Sequence, residues 1–487
     1  MSKPFYITTT LPYVNAKPHI GHAVEFIRAD SIARWKKLCG FEVFFNTGTD
    51  EHGLKIYQKA EQAHMDPQAY VDKAAAEFKE LLPMLGVSPD ANFIRTTDPH
   101  HIKAAQEFWR IVDKNGYIYK KNYSVKYCVG CELEKTESEL VDGKCPLHPL
   151  QDLELINEEN YFFKFSAFQK PLLDLYEKGG PILGKSKLPF VIPESRQKEI
   201  RAFVERGLED FSISRLKSKM PWGIAVPGDE SQVMYVWFDA LVNYVSAVGW
   251  PDDSFKKWCV DTGGMVQYCG KDNLRQQSAM WQAMLLAAGL PSSQNIIING
   301  FVTADGGVKM SKSLGNTIDP LTLVEEFGTD AMRYYCLREL SPFEDSPCTP
   351  ERFKDAYNAN LANGLGNLVS RVMKMAETNG VKALNGEVKL PDAYETGLSE
   401  YNLKKSMDAI WDLIAESDKL IQTKQPFRLM KSNIPERTEG RACIETLLGN
   451  IYMIGIALKP FMPDTSKAIL DCVDNNNMPA APLFLRK

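Results

Sequence analysis

The chain has 487 residues, a formal net charge of −5, and 44% hydrophobic and 24% charged residues. These values are ordinary for a globular protein, and the length predicts about three domains. No apolar run reaches the roughly 18 residues of a membrane span, and the N-terminus lacks a signal-peptide pattern. We therefore expect a soluble, cytoplasmic protein that does not enter a membrane. Because the net charge is negative, any nucleic-acid partner must meet local basic patches.

Strand and helix patterns alternate over the first part of the chain. A β-branched and aromatic run at 5–10 predicts a strand, and apolar residues at helical spacing follow it as far as Leu38. Pro18 suits the first turn of that helix, and Gly40 suits the positive φ of a helix C-terminus. Further strands are predicted at 42–47, 233–238, 265–269 and 295–298. The alternation predicts a Rossmann-type parallel α/β sheet.

Other patterns interrupt and follow this sheet. Short strands, turns and clustered cysteines indicate an insertion, and only helical patterns follow from about Thr349. The predicted segments are a first half of the sheet domain at 1–115, an insertion at 116–226, a second half at 227–300, a loop region at 301–348 and a helical domain at 349–487.

Polar clusters follow several predicted strands. They lie at 12–22, 48–53, 270–272 and 304–316. Because ligands of open α/β sheets bind beyond the carboxyl ends of the strands, we expect these clusters to form one binding site.

Two of these clusters carry residues suited to phosphate. His19, Gly21 and His22 stand at the start of the first predicted helix, where backbone N–H groups and the helix dipole favour an anion. The distant segment 305–316 is rich in glycine and contains Lys309 and Lys312, which could close over a polyphosphate.

The cysteine cluster has the spacing of a metal site. Cys128 and Cys131 form one C-x2-C pair, and Cys145 and His148 form a second pair thirteen residues later. Three thiolates and one imidazole complete a tetrahedral set, so we predict a structural Zn²⁺ with no position left for water.

The combination of His19-Ile20-Gly21-His22 with Lys309-Met310-Ser311-Lys312-Ser313 resembles the signature pair of the class I aminoacyl-tRNA synthetases. The stretches at 10–15, 48–53 and 235–240 resemble methionyl-tRNA synthetase, and the resemblance covers essentially the whole chain. The cysteine cluster matches the one-zinc form of that family. The resemblance implies a zinc-binding connective insertion, a stem-contact region beside the lysine loop, and an all-α anticodon-binding domain.

The resemblance implies that ATP activates L-methionine, with Mg²⁺ assisting, and that tRNA(Met) then receives the aminoacyl group. The catalytic residues would be His19, His22, Lys309 and Lys312. ATP would contact His19, Gly21, His22, Gly270, Asp272, Lys309, Ser311 and Lys312. Methionine would contact Leu11, Tyr13, Asp50, Trp237, Ala240, Tyr244 and Gln277, with Asp50 holding its ammonium group.

The sequence departs from the family at the methionine pocket and in the helical domain. Asn273 stands where an aliphatic residue is common in the family, and Gln277 stands where a histidine is common. The Gln277 amide could form a hydrogen bond with Tyr13 or with the methionine sulfur. By resemblance, Asn367, Arg371 and Phe427 would contact the anticodon, with Phe427 in place of a usual tryptophan. The family's appended dimerisation domain does not follow, so a monomer is expected.

Three further hypotheses accompany this interpretation. Homocysteine lacks only one methyl group of methionine, so editing of homocysteine in the synthetic site is a hypothesis. A class I synthetase for another apolar amino acid is an alternative, although the insertion is too short for a large editing domain. A catalytically silent, RNA-binding paralogue is the third possibility.

Overall fold

The computed structural model describes residues 2–131, 133–135, 139–179, 188–307, 310, 317–382 and 389–487. The strands in these ranges are β1 Pro4–Thr9, β2 Glu42–Thr49, β3 Asn92–Arg95, β4 Ile118–Cys128, β5 Leu133–Lys135, β6 Glu154–Phe163, β7 Val191–Ile192, β8 Phe211–Ser212, β9 Ser214–Leu216, β10 Ala225–Val226, β11 Asp229–Met234, β12 Val266–Gly270, β13 Asn295–Asn299, β14 Val302–Thr303 and β15 Ser346–Pro347.

The α-helices are α1 Ile20–Leu38, α2 Leu54–Gln62, α3 Pro67–Met84, α4 Pro99–Lys114, α5 Gln169–Lys178, α6 Glu194–Glu205, α7 Val236–Leu241, α8 Asn243–Ser246, α9 Phe255–Cys259, α10 Trp281–Ala287, α11 Pro320–Phe327, α12 Thr329–Tyr334, α13 Pro350–Ala356, α14 Asn367–Asn379, α15 Asp392–Ser399, α16 Leu403–Lys424, α17 Pro426–Leu429, α18 Ile434–Leu458 and α19 Pro463–Asn475. Segments of π-helix lie at Gln276–Met280, Tyr335–Glu339 and Tyr357–Gly366.

The chain forms two compact units. The sheet unit comprises Met1–Lys17, Glu42–Glu80 and Asp90–Ile298. The helical unit comprises Pro18–Phe41, Leu81–Pro89 and Asn299–Lys487. These units differ from the five predicted segments, which remain a prediction.

A six-stranded sheet is the centre of the sheet unit. Its strand order is β3-β2-β1-β12-β13-β7, and the pairs β3–β2, β2–β1, β1–β12 and β13–β7 are parallel. The predicted Rossmann-type parallel sheet is therefore confirmed. Because β1 pairs with β2 on one side and β12 on the other, the strand order reverses beside β1, which is where ligands of such sheets bind.

Between residues 116 and 234 most of the described strand pairs are antiparallel. One four-stranded sheet has the order β5-β4-β6-β8, and a three-stranded sheet has the order β10-β11-β9. One part of the range behaves differently, because β7 pairs with β13 and completes the parallel sheet. The insertion thus contributes an edge strand to the sheet that it interrupts.

Two local predictions were wrong. The helix α1 begins at Ile20 with His19 as its N-cap, so Pro18 precedes the cap and does not lie in the first turn. Residues 233–238 are not one strand, because β11 ends at Met234 and α7 begins at Val236. A short apolar run suits a buried helix as well as a strand, and periodicity does not separate the two. At Gly40 the expected positive φ is present, at 83°.

Two buried arginines, Arg28 and Arg333, connect α1 to the other segments of the helical unit. Arg28 donates to Asn299 Oδ1 (2.9 Å) and to the backbone carbonyls of Cys336 and Leu340. Arg333 pairs with Asp30 at 2.8 Å, and both side chains are fully buried. Burial alone would raise the pKa of Asp30, but the positive charge of Arg333 lowers it. These contacts explain why residues 18–41 group with the C-terminal helices.

The helix α18 is the one candidate in the described ranges that is long and apolar enough to cross a membrane. Half of its most apolar stretch is buried inside the protein. The helix packs against α14, α16, α17 and α19. Its apolar side is therefore part of the core of the helical unit.

Candidate active site and metal centre

The parallel sheet places several predicted site residues at one edge. Strands β2, β1 and β12 are neighbours and end at Thr49, Thr9 and Gly270. Parallel strands end at the same edge of a sheet, so the segments that follow them start side by side. Within the sheet unit, this places residues 12–17, 48–53 and 270–272 after neighbouring strands, as the sequence predicted. Residues 18–22 belong to the helical unit, and most of the cluster at 304–316 lies outside the described residues, so their part of the expected site stays a prediction.

Backbone hydrogen bonds join Asp50 to the segment after β1. The Asp50 N–H donates to the Pro12 carbonyl (2.9 Å), and the Val14 N–H donates to the Asp50 carbonyl (3.1 Å). Tyr13 therefore lies beside Asp50, and Leu11 is half-buried in the same segment. Asp50 is 7% exposed. A carboxylate at such a depth is suited to an ammonium ligand, which offers both a charge and hydrogen bonds.

Hydrogen bonds from other segments of the chain hold Glu51 and Gly53, which follow Asp50. The Glu51 carboxylate accepts hydrogen bonds from Arg95 Nε (2.7 Å) and Arg95 Nη2 (2.8 Å), and a third from the Thr97 hydroxyl (2.6 Å). Trp222 Nε1 donates to the Glu51 carbonyl (2.6 Å), and the Gly53 N–H donates to the Trp222 carbonyl (3.1 Å). The loop that carries Asp50 is thus fixed by side chains from outside it.

Aromatic side chains meet beside this loop. Tyr13 and Trp237 both pack against a cluster of Tyr127, Tyr235 and Val236. Trp237 is partly exposed, whereas its neighbours in the cluster are buried. Two of the residues predicted to wrap the thioether are therefore brought together, although they are more than 200 residues apart in the sequence.

Ala240 and Tyr244 lie on the short helices α7 and α8. Both residues are buried, with exposures of 6% and 2%. The Ala240 carbonyl accepts a hydrogen bond from Asn243 Nδ2 (2.7 Å), and the Tyr244 carbonyl accepts one from the Tyr6 hydroxyl (2.8 Å). The bond from Tyr6 fixes the backbone of Tyr244 against β1, whereas the bond from Asn243 is local to the two short helices.

Gln277 makes hydrogen bonds other than the suggested one to Tyr13. Its Nε2 donates to the Tyr244 hydroxyl (2.8 Å), and its Oε1 accepts from Gln267 Nε2 (2.6 Å). The amide is turned this way because β12 places Gln267 beside it. Gln277 is 2% exposed. Its position next to Tyr244 agrees with a place at the pocket.

A buried carboxylate links the Asp50 loop to the helix that carries Trp237. Asp239 Oδ2 lies 2.7 Å from His52 Nδ1, and Asp239 Oδ1 lies 2.8 Å from His101 Nε2. Burial alone would raise the pKa of Asp239, but the charges and hydrogen bonds of the two histidines lower it. An ionised carboxylate only accepts hydrogen bonds, so each facing ring nitrogen carries a hydrogen. His101 Nδ1 in turn meets the Ser246 hydroxyl at 2.9 Å.

Gly270 and Asp272 form the turn after β12. A Cβ atom at Gly270 would lie 2.8 Å from Asp272 Oδ1, so the turn brings this carboxylate close to bare backbone. Asp272 is exposed, and Asn273 Nδ2 donates to its Oδ1 at 3.4 Å. An exposed carboxylate at this edge is available to the hydroxyl groups of a ribose.

In the helical unit, His19 and His22 cap the start of α1. His19 Nδ1 accepts from the Gly21 N–H (3.1 Å), and His22 Nδ1 accepts from the His19 N–H (3.3 Å). The rings are stacked, with centroids 3.8 Å apart. Since both Nδ1 atoms accept, each neutral ring carries its hydrogen on Nε2. The backbone N–H groups of the first turn, which the sequence suggested for an anion, are already bonded: Ile20 donates to the Ile318 carbonyl (3.2 Å), and His22 and Ala23 donate to the His19 carbonyl. The groups at this helix start that suit an anion are therefore the two imidazole rings.

The predicted loop residues Lys309, Ser311 and Lys312 lie outside the described residues. Their roles remain predictions from the sequence.

The four predicted metal ligands form one cluster. Their ligand atoms, Cys128 Sγ, Cys131 Sγ, Cys145 Sγ and His148 Nδ1, all lie within 4.8 Å of one another. Cys131 Sγ lies 3.5 Å from Cys145 Sγ and 3.2 Å from His148 Nδ1. A tetrahedral zinc site sets about 3.8 Å between sulfurs and about 3.6 Å between sulfur and nitrogen, so the cluster fits this ion. A Cβ at Gly130 would lie 2.5 Å from the His148 ring, which explains a glycine between the first two cysteines.

Two of the predicted anticodon residues line one cavity in the helical unit. Arg371 and Phe427 border an open cavity of about 410 Å³, together with Ser370, Lys374 and Met478. Phe427 is 44% exposed, and Arg371 Nη1 donates to Asp418 Oδ1 (2.9 Å).

Asn367 is exposed on the same helix as Arg371, one turn earlier. An exposed ring beside a cation is a surface on which a base can stack.

No pattern in the sequence indicates that Asp239, His52 and His101 meet. Asp239 and His52 belong to stretches that carry the family resemblance, but only as neighbours of Ala240 and Asp50. The signal that could have identified them is a carboxylate and two histidines in segments that all lead to one sheet edge.

Comparisons with known proteins give the family. The sequence profile described as "tRNA synthetases class I (M)" matches residues 5–152 and 149–373. The methionine--tRNA ligase of Caldanaerobacter subterraneus subsp. tengcongensis is 39% identical over 491 residues, which cover 97% of this chain and 74% of that protein. The methionine--tRNA ligase of Thermosynechococcus vestitus is also 39% identical, and the match covers 96% of this chain and 90% of that protein.

Solved structures of the same family resemble this chain over nearly its whole length. Mycobacterium tuberculosis methionyl-tRNA synthetase in complex with methionyl-adenylate has a TM-score of 0.87 at 35% identity, covering 96% of this chain and 93% of that one. The apo form of the same enzyme has a TM-score of 0.82 at 30% identity. The chain therefore belongs to the methionyl-tRNA synthetase family of class I aminoacyl-tRNA synthetases.

Proposed function

We propose that this chain carries out the two-step reaction of its family on L-methionine and tRNA(Met). In the first step, a carboxylate oxygen of methionine bonds to the α-phosphorus of ATP, and pyrophosphate leaves. In the second step, a ribose hydroxyl at the tRNA terminus attacks the activated carbonyl, and AMP leaves. The observation that carries the proposal is the buried Asp50 carboxylate beside Tyr13, which packs in one cluster with Trp237.

This arrangement suits the two ends of methionine. The Asp50 carboxylate pairs with the ammonium group, which leaves the substrate carboxylate free to react. A thioether is polarizable and apolar, so it is stabilised by the aromatic faces of Tyr13 and Trp237. Leu11, Ala240 and Tyr244 complete the walls of the pocket, and Gln277 holds the Tyr244 hydroxyl.

For ATP, the start of α1 offers donors to the phosphates. The Nε2–H groups of His19 and His22 donate to phosphate oxygens, and Gly21 leaves room for a flat nucleoside to approach the backbone. Gly270 opens the turn from which Asp272 binds the ribose.

Lys309, Ser311 and Lys312 contact the departing pyrophosphate from their loop. Mg²⁺ bound with ATP supplies further positive charge against the phosphates. The chain contributes mainly positioning and charge stabilisation, as is usual in such phosphate chemistry.

For tRNA(Met), the cavity beside α14 is the anticodon surface. Phe427 stacks on a base, an interaction worth about 1–3 kcal/mol, and Asn367 and Arg371 donate hydrogen bonds to base edges. Lys374 on the rim of the same cavity adds a charge that attracts phosphate.

The metal, the oligomeric state and the compartment complete the proposal. Cys128, Cys131, Cys145 and His148 bind one structural Zn²⁺, which supplies stability to the insertion and leaves no position for water. The protein acts as a monomer in the cytoplasm. None of the ten cysteines, all of which lie in the described ranges, forms a disulfide, which agrees with a reducing compartment.

We expect the purified protein to catalyse ATP–pyrophosphate exchange with methionine, at a kcat/KM roughly a hundredfold above that for leucine or cysteine. Asp50→Asn keeps the shape of the side chain but removes its charge, so it should lose most of this exchange. Exchange with leucine or cysteine but not methionine would indicate a different class I synthetase. Exchange with no amino acid would indicate a silent RNA-binding paralogue.

Editing of homocysteine gives a second prediction. Once homocysteinyl-adenylate forms, its side-chain thiolate can attack the activated carbonyl, which forms a C–S bond and releases AMP. We expect homocysteine thiolactone and AMP to accumulate when the protein, ATP and homocysteine are incubated without tRNA. Norleucine, which has no thiol, is the control and should give no cyclic product. Absence of thiolactone under conditions in which methionine is activated contradicts the editing hypothesis.

Metal analysis tests the zinc proposal. We expect about one zinc ion per chain, because the cluster offers a single tetrahedral set. Cys145→Ser should lose the ion and make residues near 128–148 sensitive to limited proteolysis. Cys472→Ser replaces a buried thiol of the helical unit and should retain the ion. Unchanged zinc content in Cys145→Ser would exclude this cluster as the metal site.

A further inference from the structure

We propose that Lys55 stabilises the proposed zinc centre from outside its ligand set. Its ammonium group holds the backbone carbonyl that lies between two of the cysteine ligands, and its charge offsets the negative charge of the filled site. Lys55 is then a positioning residue for the metal, although it is no ligand. The inference rests on the proposed function, because it requires zinc bound by Cys128, Cys131, Cys145 and His148.

A hydrogen bond joins Lys55 to the first loop of the metal cluster. Lys55 Nζ donates to the Gly130 carbonyl at 3.1 Å. Gly130 directly precedes the proposed ligand Cys131, and Cys128 stands two residues earlier. The bond therefore connects the loop between the first pair of cysteines to a residue of helix α2, which lies 75 positions earlier in the chain.

The position of Lys55 in its own helix does not explain its charge. Helix α2 begins at Leu54 after the N-cap Gly53, so Lys55 is the second helical residue, and the first turn has no acidic side chain. The unpaired N–H groups of a helix start carry partial positive charge and disfavour a cation. This cost is offset by a contact outside the helix, and the Gly130 carbonyl supplies such a contact.

The charge balance of the metal site favours a cation at this place. Zn²⁺ with three thiolates and one neutral imidazole leaves one negative charge in excess. Lys55 is half-buried, so water and salt screen its ammonium group less than that of a fully exposed lysine. The bond to Gly130 holds this positive charge next to the loop that carries Cys131, which stabilises the filled site relative to the empty one.

Both ends of the Lys55 contact are held in place. A Cβ atom at Gly130 would lie 2.5 Å from the His148 ring, so the metal loop packs tightly against the fourth ligand. At the other end, the Gly53 N–H donates to the Trp222 carbonyl (3.1 Å), which fixes the start of α2. Because zinc leaves only when its ligands separate, a tether between these two segments slows its release.

Zinc release from the purified full-length protein tests the proposal. Lys55→Met keeps the length of the side chain but removes the ammonium group. We expect zinc transfer to an excess of the chelator pyridylazoresorcinol to become about tenfold faster, since loss of a group that holds metal ligands from outside costs roughly 10- to 100-fold in metal affinity. Thermal unfolding followed by circular dichroism shows whether the variant is folded, and Lys55→Gln replaces it if it is not.

Lys59→Met is the matched control. Lys59 lies one turn further along α2, and its Nζ donates to Gln62 Oε1 (3.1 Å) within the same helix. The substitution removes the same charge from the same helix and leaves the bond from Lys55 to Gly130 intact. Lys59 is exposed, and solvent screens its charge, so its rate of zinc release should stay within about twofold of the wild-type rate.

Two outcomes would overturn the role of Lys55: zinc release at the wild-type rate in the Lys55 variant, or an equal acceleration in Lys59→Met. A wild-type protein that is purified without zinc and does not take it up contradicts the proposed metal centre itself. That result is distinct from a filled site whose release rate does not depend on Lys55.

Discussion

The arrangement of the proposed methionine pocket depends on the buried carboxylate of Asp239. Its two oxygens accept from His52, two residues after Asp50, and from His101 on α4. A charge in the interior is tolerated only when it is paired and hydrogen-bonded, and each such bond contributes about 1.5–3 kcal/mol. The carboxylate therefore holds the Asp50 loop against the helix that carries Trp237. The same group therefore positions Asp50, the proposed ammonium partner, and Trp237, a proposed aromatic wall of the pocket.

Around this charged centre, the pocket is built from neutral groups of fixed direction. The Ser293 backbone N–H sets the orientation of Gln282, and the orientation passes through Gln267 and Gln277 to Tyr244. The Asp239 contacts join the Asp50 loop to the helix of Trp237, and the glutamine contacts join Tyr244 to β12. Gln277 stands where the family commonly has a histidine, and its amide both accepts from Gln267 and donates to Tyr244.

The sequence predicted the parts of the molecule with strong local signals. The strands β1, β2, β12 and β13, the helical character of the C-terminal part and the metal cluster were predicted because each has a clear period or spacing. Trp237 was placed on a strand and lies on α7, since short apolar runs are ambiguous. The meeting of Asp239 with His52 and His101 depends on tertiary packing across 187 and 138 residues, for which a single sequence has no signal.

The most direct test of this account is the steady-state kinetics of Asp239→Asn. An amide has one oxygen and one NH₂ group, so it cannot accept from both histidine rings, and the Asp50 loop should lose its anchor. We predict that KM for methionine rises about tenfold while KM for ATP stays within about twofold, in line with the loss of one charged hydrogen bond. Asp229→Asn, which removes the partner of Lys120 in the same unit, should change neither constant. An unchanged KM for methionine, or an equal rise in both constants, would contradict the account.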